Sequence, residues 1–319
     1  MKPFELIPPV KDYIWGGTRL RDEYGKKSSA DKLAESWELS CHKDGQSIIA
    51  HGEYCGRTLS SYLEENPSAL GTACARFEAF PVLIKLIDAK DRLSVQVHPD
   101  DEYAMSAEGE YGKTEMWYIV DCDDDAELIY GFREELTKDE FRRAIEENTL
   151  LDKVQRVRVK KGDVFFIEPG TLHAIGEGIL IAEIQQNSNT TYRVYDYGRI
   201  GNDGKPRELH TEKALDVTTL APARPYSLCR PVVHEGRETQ LLADCEYFTV
   251  SKQVITGESE LCADERSFNH VLAVEGEGVL VCGGTEISMK KGSSVFVPSG
   301  TGAYNIKGSI TVLITEIKE

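Results

Sequence analysis

Three short segments of this chain carry side chains whose types and spacing suit metal-assisted chemistry. In Ser94-Val-Gln-Val-His-Pro99 the alternation is strict, so an extended backbone puts Ser94, Gln96 and His98 on one face and Val95 and Val97 on the other. In Gly112-Lys-Thr-Glu-Met-Trp-Tyr-Ile119 the same period groups Lys113, Glu115 and Trp117, and it sends a carboxylate into an otherwise apolar strand. Burying that carboxylate is costly unless it is paired or bound to a cation. In Pro169-Gly-Thr-Leu-His173 a turn delivers one more imidazole to the start of a strand. Two imidazoles, a carboxylate and an amide oxygen form a mixed N/O donor set that suits a borderline divalent ion such as zinc and leaves room for water or substrate. Each residue alone has an ordinary structural use, since a histidine beside proline can be a hydrogen-bonded core residue and a strand glutamate can meet an arginine. Together they point to a metal centre.

The elements that must position these groups read as β-structure. Apolar runs at 81–87, 94–98, 115–120, 128–132, 155–159, 164–167, 180–185, 248–255, 269–274, 278–281, 294–298 and 310–317 are punctuated by Gly, Pro and Asp, the pattern of a sandwich or barrel. Helical signals are few. Thr137-Lys-Asp-Glu140 is a capping box followed by an apolar stripe of Phe141, Ala144 and Ile145, and 58–65, 101–107 and 211–217 are further helices. An internal repeat adds architecture: Lys160-Lys-Gly-Asp-Val-Phe-Phe-Ile-Glu-Pro-Gly-Thr-Leu-His173 aligns without gaps on Lys290-Lys-Gly-Ser-Ser-Val-Phe-Val-Pro-Ser-Gly-Thr-Gly-Ala303. Each copy is a Gly-led turn, an apolar strand and a Gly-containing turn, as in a jelly-roll strand pair, and Gly292-x5-Pro298-x-Gly300 resembles the second motif of the cupin superfamily. The first copy ends on His173 and the second on Ala303, so one β-domain can hold a metal and the other lacks that ligand. The expected fold is all-β: two jelly-roll (cupin) domains, with short helices decorating the N-terminal part. The Ala/Pro-rich stretch 221–225 is the expected linker, which divides the chain into a metal-binding domain over residues 1–225 and a cupin-like domain without metal ligands over 226–319.

Composition narrows the function classes. With 319 residues, 40% of them hydrophobic, the chain has enough material for a large core. The longest apolar stretches, 81–84 and 164–167, fall far short of the ~20 residues that cross a bilayer. The N-terminal segment has no apolar secretory core, so a cytoplasmic protein is expected. A net charge of −17 without a Lys/Arg block argues against nucleic acid, but a pocket with two or three cations can still bind a small anion. The eight scattered cysteines form no C-x-x-C pair and are read as buried reduced thiols. The acidic run Asp121 to Asp125 reads as a solvated turn.

With these residues in place, the sequence resembles type I phosphomannose isomerase, in its short bacterial form, over essentially the whole chain. The motifs that carry the resemblance are Trp15-Gly-Gly17, Glu35-Ser-Trp-Glu38, Leu93-Ser-Val-Gln-Val-His-Pro-Asp-Asp101, Gly112-Lys-Thr-Glu-Met-Trp-Tyr118, Pro169-Gly-Thr-Leu-His-Ala-Ile-Gly176, Glu183-Ile-Gln-Gln-Asn-Ser188 and Thr191-Tyr-Arg-Val-Tyr-Asp-Tyr197. The resemblance implies one zinc ion per chain bound by Gln96, His98, Glu115 and His173, a catalytic arginine at Arg193, and interconversion of mannose 6-phosphate and fructose 6-phosphate. One position departs from the family pattern: Asn189 stands where the family usually has Asp, a residue sometimes assigned to ring opening, and Asn cannot serve as a carboxylate base.

Moving a carbonyl between C1 and C2 creates an enediolate, so stabilising negative charge on adjacent oxygens is the main catalytic task. A Lewis-acid metal and a nearby guanidinium supply that stabilisation. Arg193 faces the enediolate or the phosphate in this reading, although it could instead pair with Asp196. Ser94 and Arg199 are candidate substrate contacts, since a fork of N–H donors matches phosphate oxygens. Lys85, which interrupts an apolar run, and Lys113, which shares a face with Glu115, are both candidate proton shuttles. For Lys85, burial is expected to lower the amine's pKa toward neutrality. Trp15, Trp37 and Trp117 are read as packing, and His42, His51, His210, His234 and His270 as surface or structural residues. Two alternatives remain: another metallo-cupin such as an iron oxygenase, because two His and one carboxylate also form a facial triad, and a non-catalytic sugar-phosphate sensor.

Overall fold

The structure, a computed structural model, describes residues 1–201 and 204–318. Among the described residues, no helix is long and apolar enough to cross a membrane. Strands dominate and are arranged in three large sheets. A six-stranded sheet runs in the order Val164–Ile167, Glu115–Cys122, Ile179–Gln186, Val82–Ala89, Glu35–Leu39 and Val10–Lys11. A five-stranded sheet runs Val154–Arg158, Glu127–Phe132, His173–Ala174, Val95–Val97 and Tyr192–Tyr195. The third sheet is built mainly from the segments Arg237–Asp244, Thr249–Ala263, Asn269–Cys282 and Gly302–Glu316.

Alternation within the strands explains how these layers stack. In the six-stranded sheet, Ile84, Leu86, Met116, Tyr118, Ala182 and Ile184 point to one side, where they share a core with Phe248, Leu272, Phe296 and Leu313 of the third sheet. The opposite side carries Trp117, Ile119, Ile87 and Ile181 into a second core with Leu93, Leu128 and Ile175. With both faces covered, the strands Val82–Ala89 and Ile179–Gln186 are buried throughout, which is why they read as continuous apolar runs. The outer face of the five-stranded sheet, with Val95, Val97, Leu172 and Val194, is closed by the helices Lys138–Glu146 and Thr211–Val217 through Phe141, Ala144, Ala214 and Leu215. The capping box at Thr137 and Glu140 forms with both reciprocal bonds. The helices Leu59–Glu65 and Asp101–Ala107 also lie where the sequence predicts them.

The repeat is reproduced in three dimensions. Gly162 and Gly292 both turn at positive φ, +92° and +91°, before the matching strands Val164–Ile167 and Ser294–Val297. That left-handed conformation is open to glycine at little cost, so the shared Lys-Lys-Gly has a backbone reason. Register then identifies equivalent positions. Ile167 pairs with Glu115 whereas Val297 pairs with Asn269, and His173 pairs with Gln96 whereas Ala303 pairs with Cys262. The second unit thus has Asn, Ala and Cys where the first has Glu, His and Gln. Its interior is filled by Val271, Met289, Val295, Tyr304, Ile306 and Val312.

Some features differ from the sequence reading. The separate runs expected at 269–274 and 278–281 are one strand, Asn269–Cys282, because a register shift between Ala273 and Glu275, with Gly276 at φ +75°, bends the strand without ending it. Phe4–Ile7 leaves the N-terminal part to pair with Ser294–Val297, so the third sheet contains strands from both ends of the chain. The cysteines are unpaired, but only Cys74 and Cys282 are buried; Cys55, Cys229 and Cys262 are exposed.

Candidate functional site

Between the six- and five-stranded sheets, His98, Glu115 and His173 come together with ligand atoms all within 4.8 Å of one another and every side chain buried. Each comes from a different strand end, and the period of two turns each away from its apolar neighbours. His98 Nε2 lies 3.2 Å from Glu115 Oε1, and His173 Nε2 lies 3.8 Å from Glu115 Oε2. Gln96 reaches the same point, with its amide nitrogen 3.4 Å from His173 Nε2; rotating the terminal amide aims Oε1 there instead and leaves the NH2 to donate to Ser94 Oγ. His173 Nδ1 lies 2.8 Å from Thr171 O, so with Nδ1–H as donor the Nε2 lone pair is free for a metal.

The local electrostatics favour ligand forms of these groups. Burial, helped by the Lys113 ammonium, pushes the His98 pKa down to about 3, and burial also lowers that of His173, so both imidazoles are neutral. Burial opposes ionisation of Glu115, but Lys113 Nζ at 3.0 Å together with the His98 and His173 rings outweighs it and holds the carboxyl well below its usual range. Glu115 Oε1 and His98 Nδ1 are buried without a hydrogen-bond partner, and Lys113 already places one positive charge against Glu115 Oε1 and His98 Nε2. Neutral nitrogens, an anionic oxygen and an incompletely bonded carboxylate fit a divalent cation.

The cluster adjoins a cavity of about 290 Å³. Its lining includes Glu35, Lys85, Lys113 and Glu183 from the six-stranded sheet and its edge, Ser94, Gln96, Arg193, Arg207 and His210 from the other side, and Tyr13 and Trp15 at the lip. Cationic groups placed among a few carboxylates give a local field opposite to the protein's overall charge, suited to a small polar anion.

Most of the sequence candidates meet here. Ser94, Gln96, Lys85, Lys113 and Arg193 line the cavity beside the His98, Glu115 and His173 cluster. Arg193 Nε donates to Ser94 Oγ at 3.3 Å and Nη1 to Glu208 O at 3.0 Å. Asp196, the alternative partner for Arg193, is bound instead by Arg199 and Arg207. Arg199 is not brought to the cavity: its guanidinium is spent on Asp196 at 2.5 Å and on Arg92 O at 2.5 Å. Arg207 occupies the wall in its place. The expectation for Lys85 is corrected as well. Burial does act to lower its pKa, but Glu183 at 3.1 Å, Glu35 at 3.9 Å and Glu115 outweigh it, so the amine is held protonated above its ordinary value. A base role at neutral pH does not fit such an environment.

Several participants had no signal in the sequence. Arg207 and His210 sit in a polar loop with no periodicity, and His210 lines the cavity although it reads as structural. Glu35 and Glu183 lie in motifs already singled out, but only cross-strand register shows that they flank Lys85. Asn189 also reaches the cavity, and its Nδ2 donates to Asp44 Oδ2 at 2.9 Å. Trp117, read as packing, is buried and donates its indole N–H to Glu115 Oε2 and Glu183 Oε1.

Comparison with known proteins gives a consistent result. The profile for "Phosphomannose isomerase type I, catalytic domain" matches residues 4–133, and that for "Mannose-6-phosphate isomerase, cupin domain" matches residues 237–317. The chain is 41% identical over 320 residues to the mannose-6-phosphate isomerase ManA of Bacillus subtilis, covering 99% of each. It is 36% identical over 321 residues to the mannose-6-phosphate isomerase of Streptococcus mutans, covering 100% of this chain and 99% of the other. A crystal structure of the mannose 6-phosphate isomerase from Bacillus subtilis superposes with a TM-score of 0.92 at 38% identity, over 99% of both chains. One from Salmonella typhimurium superposes with a TM-score of 0.79 at 19% identity over all of both chains, a likeness of fold.

Proposed function

We propose a mechanism for a chain that belongs to the type I phosphomannose isomerase family: an aldose–ketose isomerase that interconverts mannose 6-phosphate and fructose 6-phosphate at the cavity beside His98, Glu115 and His173. We assign one zinc ion per chain to Gln96, His98, Glu115 and His173. The observation that carries this reading is the buried convergence of two neutral imidazoles and an ionised carboxylate, with an unbonded oxygen, next to a cation-lined cavity. A bound zinc ion supplies Lewis-acid polarisation of the sugar oxygens at C1 and C2 and charge to offset the enediolate.

The side chains divide the remaining work. Arg193, held in place through Ser94 and Glu208, directs its guanidinium at the developing negative charge or at the phosphate. Ser94, Arg193 and His210 line the cavity and form its phosphate end, while Arg207, with Nε and Nη2 engaged by Asp196, lends charge to the wall in place of Arg199. Lys113 lines the cavity with its ammonium against Glu115, so in the proton transfer between C1 and C2 it would act as the donating group. Lys85, kept cationic by Glu183 and Glu35, adds fixed positive charge to the floor. Burial of His98, Glu115 and His173 between two sheets strengthens the electrostatic interactions among them.

The test is metal analysis and turnover on one purified sample. One zinc per chain, activity lost on chelation and restored by zinc, and isomerisation measured from fructose 6-phosphate are the expected results. Stoichiometric iron with oxygen-dependent turnover would overturn the isomerase mechanism, as would sugar-phosphate binding without formation of mannose 6-phosphate.

A further inference from the structure

Four side chains form one cross-strand row on the cavity face of the six-stranded sheet. Trp117 pairs in register with Glu183, Glu183 with Lys85, and Lys85 with Trp37. Each tryptophan closes an end of the row in the same way, by donating its indole N–H to the glutamate two residues before it: Trp37 to Glu35 Oε2 at 2.7 Å, Trp117 to Glu115 Oε2 at 3.0 Å. This is the i, i+2 geometry of one strand face. Only the Trp117 end meets the candidate metal centre. There the single N–H also reaches Glu183 Oε1 at 2.9 Å, and the ring packs at 78° against the imidazole of His173, centroids 5.3 Å apart.

We propose that Trp117 is a positioning residue of the metal centre, holding Glu115 through one carboxylate oxygen and packing against the ring of His173. Because the indole N–H takes Oε2, the oxygen left without a hydrogen bond is Oε1, which faces His98. The carboxylate would thereby offer a cation its Oε1 atom, against which Lys113 Nζ stands at 3.0 Å. The shared N–H also tethers Glu183, setting its distance from Glu115 and from Lys85. A ring of the same size without the N–H, such as benzothiophene, would fill the same space, so packing alone does not call for the N–H; a polar donor buried here is explained by its two acceptors. Partners one step behind metal ligands fix ligand orientation, and losing one weakens metal binding by roughly 10–100-fold.

This inference rests on the metal reading above. The experiment compares wild type, Trp117→Phe and Trp37→Phe, each stripped of metal and titrated with Co2+ and Zn2+ under chelator competition. Trp117→Phe is expected to bind about 10–100-fold more weakly and to show a changed visible Co2+ spectrum, because Glu115 is free to turn. Trp37→Phe loses an equivalent hydrogen bond away from the metal and is expected to match wild type in both readouts. If Trp117→Phe does not fold, 3-benzothienylalanine introduced at position 117 keeps the ring and replaces N–H with sulfur, and the same readouts apply. Affinity within twofold of wild type with an unchanged spectrum overturns the proposal, and so does equal weakening in Trp37→Phe, which signals general loosening. A wild type that takes up no divalent ion overturns the metal reading itself and this proposal with it.

Discussion

Replacing Lys26 with methionine tests how the catalytic sheet is joined to the C-terminal sheet. Lys26 Nζ donates to Glu38 Oε2 at 2.7 Å and to Gly292 O at 2.6 Å, so one buried ammonium links the strand Glu35–Leu39 to the turn before Ser294–Val297. Ser294 Oγ adds a second link by donating to Glu38 O at 2.8 Å. Methionine keeps most of the apolar stem, so the main loss is the charge. Removing one partner of a buried ion pair costs about 3–5 kcal/mol, because the other is left desolvated and uncompensated. Glu38 is fully buried and its Oε1 has no hydrogen-bond partner, which places this pair in that class. Burial already outweighs Lys26 and holds the Glu38 pKa above its ordinary value; without the ammonium it rises further. A carboxyl whose pKa is higher folded than unfolded destabilises the protein increasingly as pH climbs from the unfolded value to the folded one, so the penalty is larger near neutrality and shrinks on acidification. Urea unfolding of Lys26→Met is therefore expected to show about 3–5 kcal/mol of lost stability near pH 7.5, with less at pH 5.5. Adding Glu38→Gln should recover most of it, since no buried charge remains. A loss below about 1 kcal/mol, equal at both pH values, would refute the reasoning and place the pair among solvated ion pairs.

His98→Ala is expected to abolish metal retention and turnover together, measured by metal analysis and a coupled isomerase assay; an active zinc-free variant contradicts the ligand assignment. Arg193→Ala should retain metal but lower kcat by roughly 10²–10³-fold, the scale of one lost oxyanion-type donor, and unchanged kinetics remove Arg193 from the mechanism. His270, bonded to Ser294 Oγ at 2.8 Å, has its pKa pushed down to about 3 by burial. Its neutral form is favoured by folding, so its contribution is present above the unfolded pKa near 6.5 and is lost as pH falls toward 3. Between pH 7 and pH 5 that loss is about 2 kcal/mol, and a His270→Gln variant should show a correspondingly flatter stability–pH curve.

The candidate metal cluster was legible in the sequence because its residues obey local rules. Gln96 and His98 alternate with Val95 and Val97, Glu115 interrupts an apolar strand, and His173 follows a Gly-led turn, so period and composition alone placed each on an inward face. The helix after Thr137 was legible for the same reason, since its capping box is short-range. What escaped depends on pairing between distant segments. The protonated state of Lys85 is set by Glu35 and Glu183 on neighbouring strands, and no window around Lys85 contains them. Arg207 was hidden because its loop has no pattern, and Arg199 misled because Asp196, three residues away, captures its guanidinium. Trp117 looked like filler because an indole in a core usually is one, and its polar edge gains meaning only from the acceptors beside it.

The pairing of Phe4 with Phe296 spans roughly 290 residues, a long closure for one β-contact. During synthesis, Phe4–Ile7 leaves the ribosome well before Ser294–Val297 and has to wait for it before its backbone amides on that side are satisfied. Until then the nascent chain carries an unmatched strand edge, the kind of surface that invites pairing with other chains. The same stitch makes the finished molecule tolerant of a cut. A protease that severs the 221–225 stretch still leaves the N-terminal fragment zipped into the sheet of its C-terminal companion, and the two pieces should elute together from a sizing column.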